Sequence, residues 1–298
     1  MILEQDETGE AREPVTVVGL GSMGTALAEA FIAAGHPTTV WNRSPEKAVT
    51  LVAKGARHVD AIGDALAASP IIVACLSTYD ATREALGPAG AALSRRTLVT
   101  LNSGTPASAR KMTAWATARG ARYLDGAVKD VPSAVGLPGT VLYYSGDQAV
   151  FDEHLTTLEV LGGNTIHLGA EPDLAALYET AVGGTLLPAL LGFFQGAALV
   201  TSRGLPASTL VPYTVEWLKM IGSVLPTLAE EIDSGDYSRA ASSISTFHEQ
   251  IADEQALGEQ ESIDTAWQLP MHDLIRRAVS EGRGEQSIAA LTELLRKP

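Results

Sequence analysis

The segment from Val15 to Ser44 constrains the fold of this chain more than any other. Val15-Thr16-Val17-Val18 is a short β-branched run that meets Gly19-Leu20-Gly21-Ser22-Met23-Gly24. An alanine-rich helical pattern follows from Thr25 to Ala34 and stops at Gly35. A second short run, Thr38 to Trp41, then leads into Asn42-Arg43-Ser44-Pro45. Strand, glycine turn, helix and strand within about thirty residues form the βαβ pattern of a dinucleotide site. The three glycines serve different ends. Gly19 allows the tight turn, Gly21 lets the backbone approach a pyrophosphate, and Gly24 lets helix and strand pack closely. The first turn of the helix, with Leu20, Ser22 and Met23 around it, offers unpaired N–H groups and a positive dipole end to the phosphates.

The end of the second strand decides which dinucleotide fits. A carboxylate there accepts from a ribose 2′-hydroxyl and would repel a 2′-phosphate. This chain has none at that point, and offers Asn42, Arg43, Ser44 and, one turn on, Lys47. A guanidinium binds a phosphate through two parallel hydrogen bonds, so the expected cofactor is NADPH rather than NADH. Leu76-Ser77-Thr78 and Asn102-Ser103-Gly104-Thr105-Pro106 follow two further strand-like runs, where ligands of such sheets gather. Ser103 and Thr105 suit either a polar contact near the cofactor or an N-cap for the next helix.

Runs at Ile71–Leu76, Leu98–Leu101 and Val141–Ser145 read as more strands, with helices such as Ala107–Arg119 between them. This alternation predicts a parallel sheet covered by helices on both faces. From Asp173 to Arg203 the chain reads as one long apolar helix. Beyond it come helices broken at Pro206, Pro212, Pro226, Asp233-Ser234-Gly235-Asp236 and Gly282-Arg283-Gly284. The expected fold is α/β: an N-terminal Rossmann doubly wound sheet (residues 1–169), a long interdomain helix (170–203) and an all-α C-terminal domain (204–298). A helix apolar nearly all round must be buried on most sides. Packing against a second copy through Gly183, Gly184 and Gly192 predicts a homodimer.

A formal net charge of −14 argues against nucleic acid, which needs clustered Lys and Arg. Cys75 is the only cysteine, so no internal disulfide or cysteine-based metal site is expected, and it reads as a buried strand residue. No HExxH-type spacing appears, so no metal is expected. The acidic opening stretch, Met1 to Pro14, has no apolar signal core, and the apolar run Leu186 to Val200 is interrupted by Gly192, Gln195 and Gly196. These features predict a soluble cytoplasmic protein with no membrane partner.

Taken in order, the glycine turn, Trp41-Asn42-Arg43-Ser44, Ser103-Gly104-Thr105-Pro106, Gly126-Ala127-Val128-Lys129-Asp130-Val131-Pro132-Ser133 and Gly235-Asp236-Tyr237 resemble imine reductases and reductive aminases. The first motif is shared with the wider 3-hydroxyacid dehydrogenase group, and the later ones are more specific. The resemblance, which runs from about Val15 to Leu295, implies hydride transfer from NADPH to the carbon of an imine, with condensation of a ketone and an amine in some members. It also implies a homodimer whose active sites are shared between subunits.

The family's proton-donor position, usually Asp or Tyr, matches Glu179 here, with Ser103 as its catalytic companion. A carboxylate suits the reaction because the nitrogen carries positive charge as hydride arrives, so Glu179 would anchor or protonate it. Val128, Leu187, Trp217 and Phe247 resemble pocket positions, and His248 is a candidate proton carrier. Tyr178 is a further pocket candidate, although it sits ~100° round the helix from Glu179. The 3-hydroxyacid dehydrogenases carry a lysine at the Glu179 position and an asparagine one turn later, where this chain has Gly183. The alternative readings are a 3-hydroxyacid or carbonyl reductase and a non-catalytic NADPH-binding protein.

Overall fold

The computed structural model describes residues 12–239 and 241–296, so most of the acidic opening stretch lies outside the described residues. The chain divides into two compact units, one ending at Thr185 and the other beginning at Leu186. The division falls inside the 170–203 segment that the sequence sets apart as a helix between domains.

The first unit is built on one eight-stranded sheet: β1 (Val15–Val18), β2 (Thr38–Trp41), β3 (Arg57–His58), β4 (Ile71–Ala74), β5 (Thr97–Leu101), β6 (Arg122–Val128), β7 (Val141–Gly146) and β8 (Asn164–His167). Its order is β3-β2-β1-β4-β5-β6-β7-β8. The helices of this unit are α1 (Ser22–Ala33), α2 (Val49–Ala53), α3 (Ile62–Ala67), α4 (Tyr79–Leu86), α5 (Pro106–Thr117), α6 (Gln148–Leu158) and α7 (Leu174–Gly183). The central strands are buried throughout because helices cover both faces, and their alternating side chains feed two separate cores. Val15 and Val17 join Leu27 and Phe31 of α1, whereas Val18 joins Ile72, Leu98 and Met112 on the other face. Each fully buried Leu or Phe contributes about 2 kcal/mol. Thr16, on the second face, is satisfied by donating to the Ala65 carbonyl at 3.0 Å and to Ser69 Oγ at 2.9 Å. The order reverses between β1 and β4, and the crevice at their carboxyl ends is where such sheets bind ligands.

Two expectations change. The sheet is mixed rather than wholly parallel, because β7 runs antiparallel to β6. The strand β6 itself is unexpected, since Asp125 and Gly126 interrupt its apolar pattern. It forms because Asp125 finds hydrogen-bond donors inside the sheet domain.

The second unit holds α8 (Leu186–Ser202), α9 (Val211–Ser234), α10 (Ile244–Gln260), α11 (Leu269–Ser280) and α12 (Leu291–Leu295). Its core gathers Ile244, Ile251, Ile275 and Ala278. The expected break near Pro212 occurs, with α9 starting at Val211, but the one at Pro226 does not. Pro212 lies in the first turn of α9, where its missing N–H has no partner to lose, and α9 continues through Pro226. The carbonyl that the Pro226 ring crowds is that of Gly222. The break at residues 233–236 does occur, with Gly235 capping α9 at a φ of +68°. No residue of α8 is buried in the single chain, and Leu187 (67% exposed), Phe194, Tyr213 and Trp217 (64%) leave a broad apolar face uncovered on α8 and α9.

By length and composition alone, the stretch Leu174–Ser202 is long and apolar enough to cross a membrane, although the shorter run Leu186–Val200 is not. Its first part, α7, instead packs on β6 and β7 with Ala175 and Ala176 buried.

Glu13 ties the start of β1 to α6. Its Oε2 accepts from Thr157 Oγ1 at 2.7 Å and meets the fully buried His154 at 3.1 Å, while its carbonyl meets His36 Nδ1 at 2.8 Å. Burial raises this carboxyl's pKa, but the His154 and Thr157 contacts outweigh it, and the net shift is downward. A depressed folded pKa stabilises above the ordinary carboxylate range and is lost as pH falls through it. Glu13→Gln is therefore expected to cost about 1 kcal/mol at pH 7. In paired urea titrations the difference from wild type should begin to shrink below about pH 4.5 and be lost once pH has fallen through the lowered folded value.

Candidate active site

The glycine turn is fixed by clashes that only glycine avoids. Gly19 has a φ of +95°, and a Cβ on it would lie 2.4 Å from the Cys75 carbonyl oxygen. A Cβ on Gly24 would lie 1.9 Å from the Gly19 oxygen, so α1 closes onto β1 only with glycine there. Gly21 differs: its backbone is extended and a Cβ would meet nothing within 4 Å. The space it leaves is the room an approaching pyrophosphate needs. Gly21 caps α1 without any side-chain hydrogen bond, which leaves the first-turn N–H groups at Ser22 and Met23 without a side-chain cap.

Asn42 holds the turn to the second strand. Its Oδ1 accepts from the Leu20 N–H at 2.9 Å, and its Nδ2 donates to the Ser44 carbonyl at 3.0 Å. Arg43 and Lys47 are exposed beside it. Together with Gly19, Leu20, Gly21 and Ser44 they line a cleft of about 560 Å³ that reaches Cys75, Leu76 and Ser77. Glu84 of α4 lines the same cleft, a carboxylate that sequence reading missed because it stands outside the strand-end motifs.

A second recess of about 220 Å³ shares the Cys75–Ser77 wall. Met23, Asn102, Ser103, Val128 and Glu179 complete it, so residues far apart in sequence converge at the carboxyl ends of β4, β5 and β6. Ser103 Oγ donates to Glu179 Oε1 at 2.8 Å. Thr105, by contrast, caps α5 by accepting from the Ser108 N–H at 3.2 Å, and Thr78 caps α4 in the same way. The two hydroxyls of the Ser103–Thr105 motif thus divide the two roles open to them. Asn102 joins the strand ends, with Nδ2 donating to the Leu76 carbonyl at 2.6 Å and Oδ1 accepting from Thr82. Lys129 Nζ donates to the Glu179 backbone carbonyl at 3.3 Å, bringing a cation to the helix turn that carries the carboxylate. Cys75 is not the buried strand residue expected: it lies just past the end of β4, half-buried, in the wall of both spaces, where desolvation pushes its thiol up to about 11.

The recess forms without Tyr178, whose ring stands edge-on to Tyr143 at 6.3 Å. Of the pocket candidates, Val128 lies in the first unit's recess. Leu187 and Trp217 sit exposed on α8 and α9, Phe247 packs against the core of the second unit, and His248 is half-buried on α10.

A glycine turn that spares room for a pyrophosphate, basic residues at the end of β2 and a carboxylate-lined recess at the far end of the same cleft define a dinucleotide-dependent oxidoreductase of two-unit construction. Residues 14–169 match the NAD binding domain of 6-phosphogluconate dehydrogenase, and residues 171–297 match the NADPH-dependent reductive aminase-like C-terminal domain. An NADPH-dependent reductive aminase of Aspergillus oryzae is 33% identical over 282 residues, spanning 94% of this chain and 96% of the relative. The imine reductase of Streptomyces aurantiacus superposes with a TM-score of 0.91 at 32% identity, covering 96% of this chain and 100% of that one. A reductive aminase from Aspergillus terreus, solved with NADPH4, cyclohexanone and allyl amine, gives 0.90 at 34% identity, with 95% and 99% coverage. The chain belongs to the imine reductase and reductive aminase family.

The three glycines make separable predictions. Gly21→Val should leave the melting temperature nearly unchanged yet weaken dinucleotide binding at least ~100-fold, because the side chain enters only the ligand's space. Gly24→Ala should destabilise the protein by about 3 kcal/mol or more through overpacking. Thermal melts and fluorescence titration with NADPH separate the two effects.

Proposed function

We propose that this chain reduces C=N bonds to amines with hydride from NADPH, acting on cyclic imines, iminium ions, or ketones condensed with amines. The observation that carries this reading is the Ser103–Glu179 pair, held at 2.8 Å in the recess that continues the dinucleotide cleft. The residues suit the cofactor: Gly21 leaves space at the uncapped start of α1, and Arg43, Ser44 and Lys47 line the cleft with no carboxylate at the end of β2. Arg43 and Lys47 would hold the 2′-phosphate, the first turn of α1 would hold the pyrophosphate, and Ser77, which lines both spaces, would lie toward the nicotinamide end with Ser103. NADPH bound there would supply a hydride to the carbon of the C=N bond; an iminium ion then needs no proton, whereas a neutral imine takes up one, ultimately from solvent.

Glu179 does the electrostatic work. Its Oε1 accepts a hydrogen bond from Ser103 Oγ–H, and in its carboxylate form the side chain would set negative charge beside a nitrogen that becomes cationic. Met23, Leu76, Leu101 and Val128 line the recess, and a substrate filling it would displace the solvent that otherwise screens that attraction. Ser103 fixes the rotamer of the longer Glu side chain and so offsets its extra methylene relative to the Asp usual in the family. The missing lysine at this position removes the group that carbonyl-reducing relatives use.

A homodimer completes the site in this reading. The uncovered apolar face of α8 and α9 supports it, since exposed patches of that size mark interfaces. A second copy covers that face and brings Leu187, Trp217, Phe247 and His248 to the apolar side of the substrate. The enzyme works in the cytoplasm as a soluble protein, with no nucleic acid or membrane partner.

NADPH consumption at 340 nm with a simple cyclic imine, beside a 3-hydroxy acid with NADP⁺, tests the reaction. Turnover of the imine alone is expected. Turnover of the hydroxy acid alone, or of neither, replaces this reading with a carbonyl reductase or a binding protein. Glu179→Leu should lower kcat by about 100-fold or more through loss of charge stabilisation. Arg43→Glu should raise KM for NADPH by about 10- to 100-fold and leave NADH use little changed.

A further inference from the structure

Behind the Ser103–Glu179 pair lies a buried polar cluster that lines neither the cleft nor the recess. Asp125, on β6, is fully buried. Its Oδ1 accepts from Tyr79 Oη at 2.8 Å, Thr100 Oγ1 at 3.1 Å and Tyr123 Oη at 3.2 Å, while its Oδ2 has no hydrogen-bond partner. A buried carboxyl with one oxygen unpartnered is expensive, and ordinary packing would be served better by an apolar residue. Its persistence in the middle of a strand therefore asks for a reason.

The cluster touches both supports of the active pair. On one side the N-terminus of α7 is fastened to the sheet: the Ala175 N–H donates to Ser145 Oγ at 3.0 Å, and Ser145 is the β7 register partner of Asp125. The next N–H, of Ala176, does not complete a hydrogen bond to Asp125 but lies close enough to favour its ionised form. Glu179 lies on the same face of α7, three residues beyond Ala176. On the other side the Tyr79 ring packs beneath the loop of Ser103, since a Cβ on Gly104 would fall 2.8 Å from ring carbons. Thr180 Oγ1 donates to the Gly104 carbonyl at 3.4 Å and closes the circuit between helix and loop. The titratable groups facing Asp125 are Tyr79 from α4, Tyr123 from its own strand and, through Tyr79, Glu179 from α7; β5 and β7 present only Thr100 and Ser145.

We propose that Asp125 is a positioning residue for this enzyme: through Tyr79 and the first turn of α7 it holds the Ser103 loop and the Glu179 helix in the register that lets the two side chains meet. The role rests on the imine-reducing function proposed above, but the clamp itself is a property of the protein alone. Burial pushes the Asp125 carboxyl up to about 7, against the pull of its hydroxyl donors, so a neutral side chain with one acceptor oxygen is a fair replacement. The acceptor, rather than full charge, does the holding.

Hydrogen–deuterium exchange of the whole protein, read by mass spectrometry, tests the clamp without substrate. Asp125→Ala removes the acceptor and should speed exchange at least ~10-fold in α7 and in residues 102–105, with α1 and β1 unchanged. The same variant should lower kcat for the imine at least ~10-fold, while KM for the imine and affinity for NADPH stay within about three-fold. Asp125→Asn, which keeps an acceptor oxygen, should restore both readouts to within about three-fold of wild type. Should Asp125→Ala fail to fold, Tyr79→Phe, which keeps the ring beneath Gly104, should still speed exchange in residues 102–105. Wild-type exchange in both segments, a uniform rise across the whole sheet, or Asp125→Asn as damaging as Asp125→Ala would each overturn the proposal. A wild-type enzyme that turned over no imine would sink the function proposed above, while the exchange data would still decide the clamp.

Discussion

Everything in the first unit depends on how closely α1 approaches β1. The backbone of Gly24 passes so near the Gly19 carbonyl that a Cβ there would come within 1.9 Å of it. That contact sets the direction in which α1 leaves the sheet, and so where its uncapped first turn points. It also packs the Gly19 turn against the Cys75 carbonyl, which places the ends of β1 and β4 side by side. The cleft and the recess share that junction as a wall. A shift of an ångström in the helix would therefore move phosphate contacts and recess together, since packed interiors transmit strain instead of absorbing it.

Chemistry is distributed along this frame by charge. The cationic residues Arg43 and Lys47 stand at the β2 end of the cleft, and the carboxylate of Glu179 stands at the other, beyond Ser77. An anionic ligand group is drawn to one end and a cationic centre to the other, although the chain as a whole carries a formal charge of −14. Local arrangement outweighs net charge because screening confines each group's influence to about a Debye length.

The parts of this design that were legible in the sequence are those carried by local rules. The β-branched run before Gly19, the spacing of three glycines and the missing carboxylate after Trp41 each state a backbone or charge requirement within a few residues. Glu179 became visible only through resemblance, since a Glu on a helix is ordinary, and its link to Ser103 spans 76 positions in sequence. The strand β6 was hidden because Asp125 and Gly126 look like loop residues until the hydroxyls of Tyr79, Thr100 and Tyr123 are gathered round them. Pro226 misled for the opposite reason: the local rule against proline inside a helix does not hold here, since α9 continues through it. Local signals thus located the cofactor cleft, while the polar cluster and the path of α9 came from contacts that no short window of sequence contains.

Cys75 gives the frame one further property. It is the only cysteine in the chain, and it stands in the wall between the two binding spaces. Reactivity of a thiol follows its thiolate fraction, and burial holds this one in the protonated form far above neutrality. With no second thiol in the chain, it has no internal disulfide to form. The cleft and the recess therefore share a wall whose one sulfur is held as the thiol, the form that attacks a disulfide slowly.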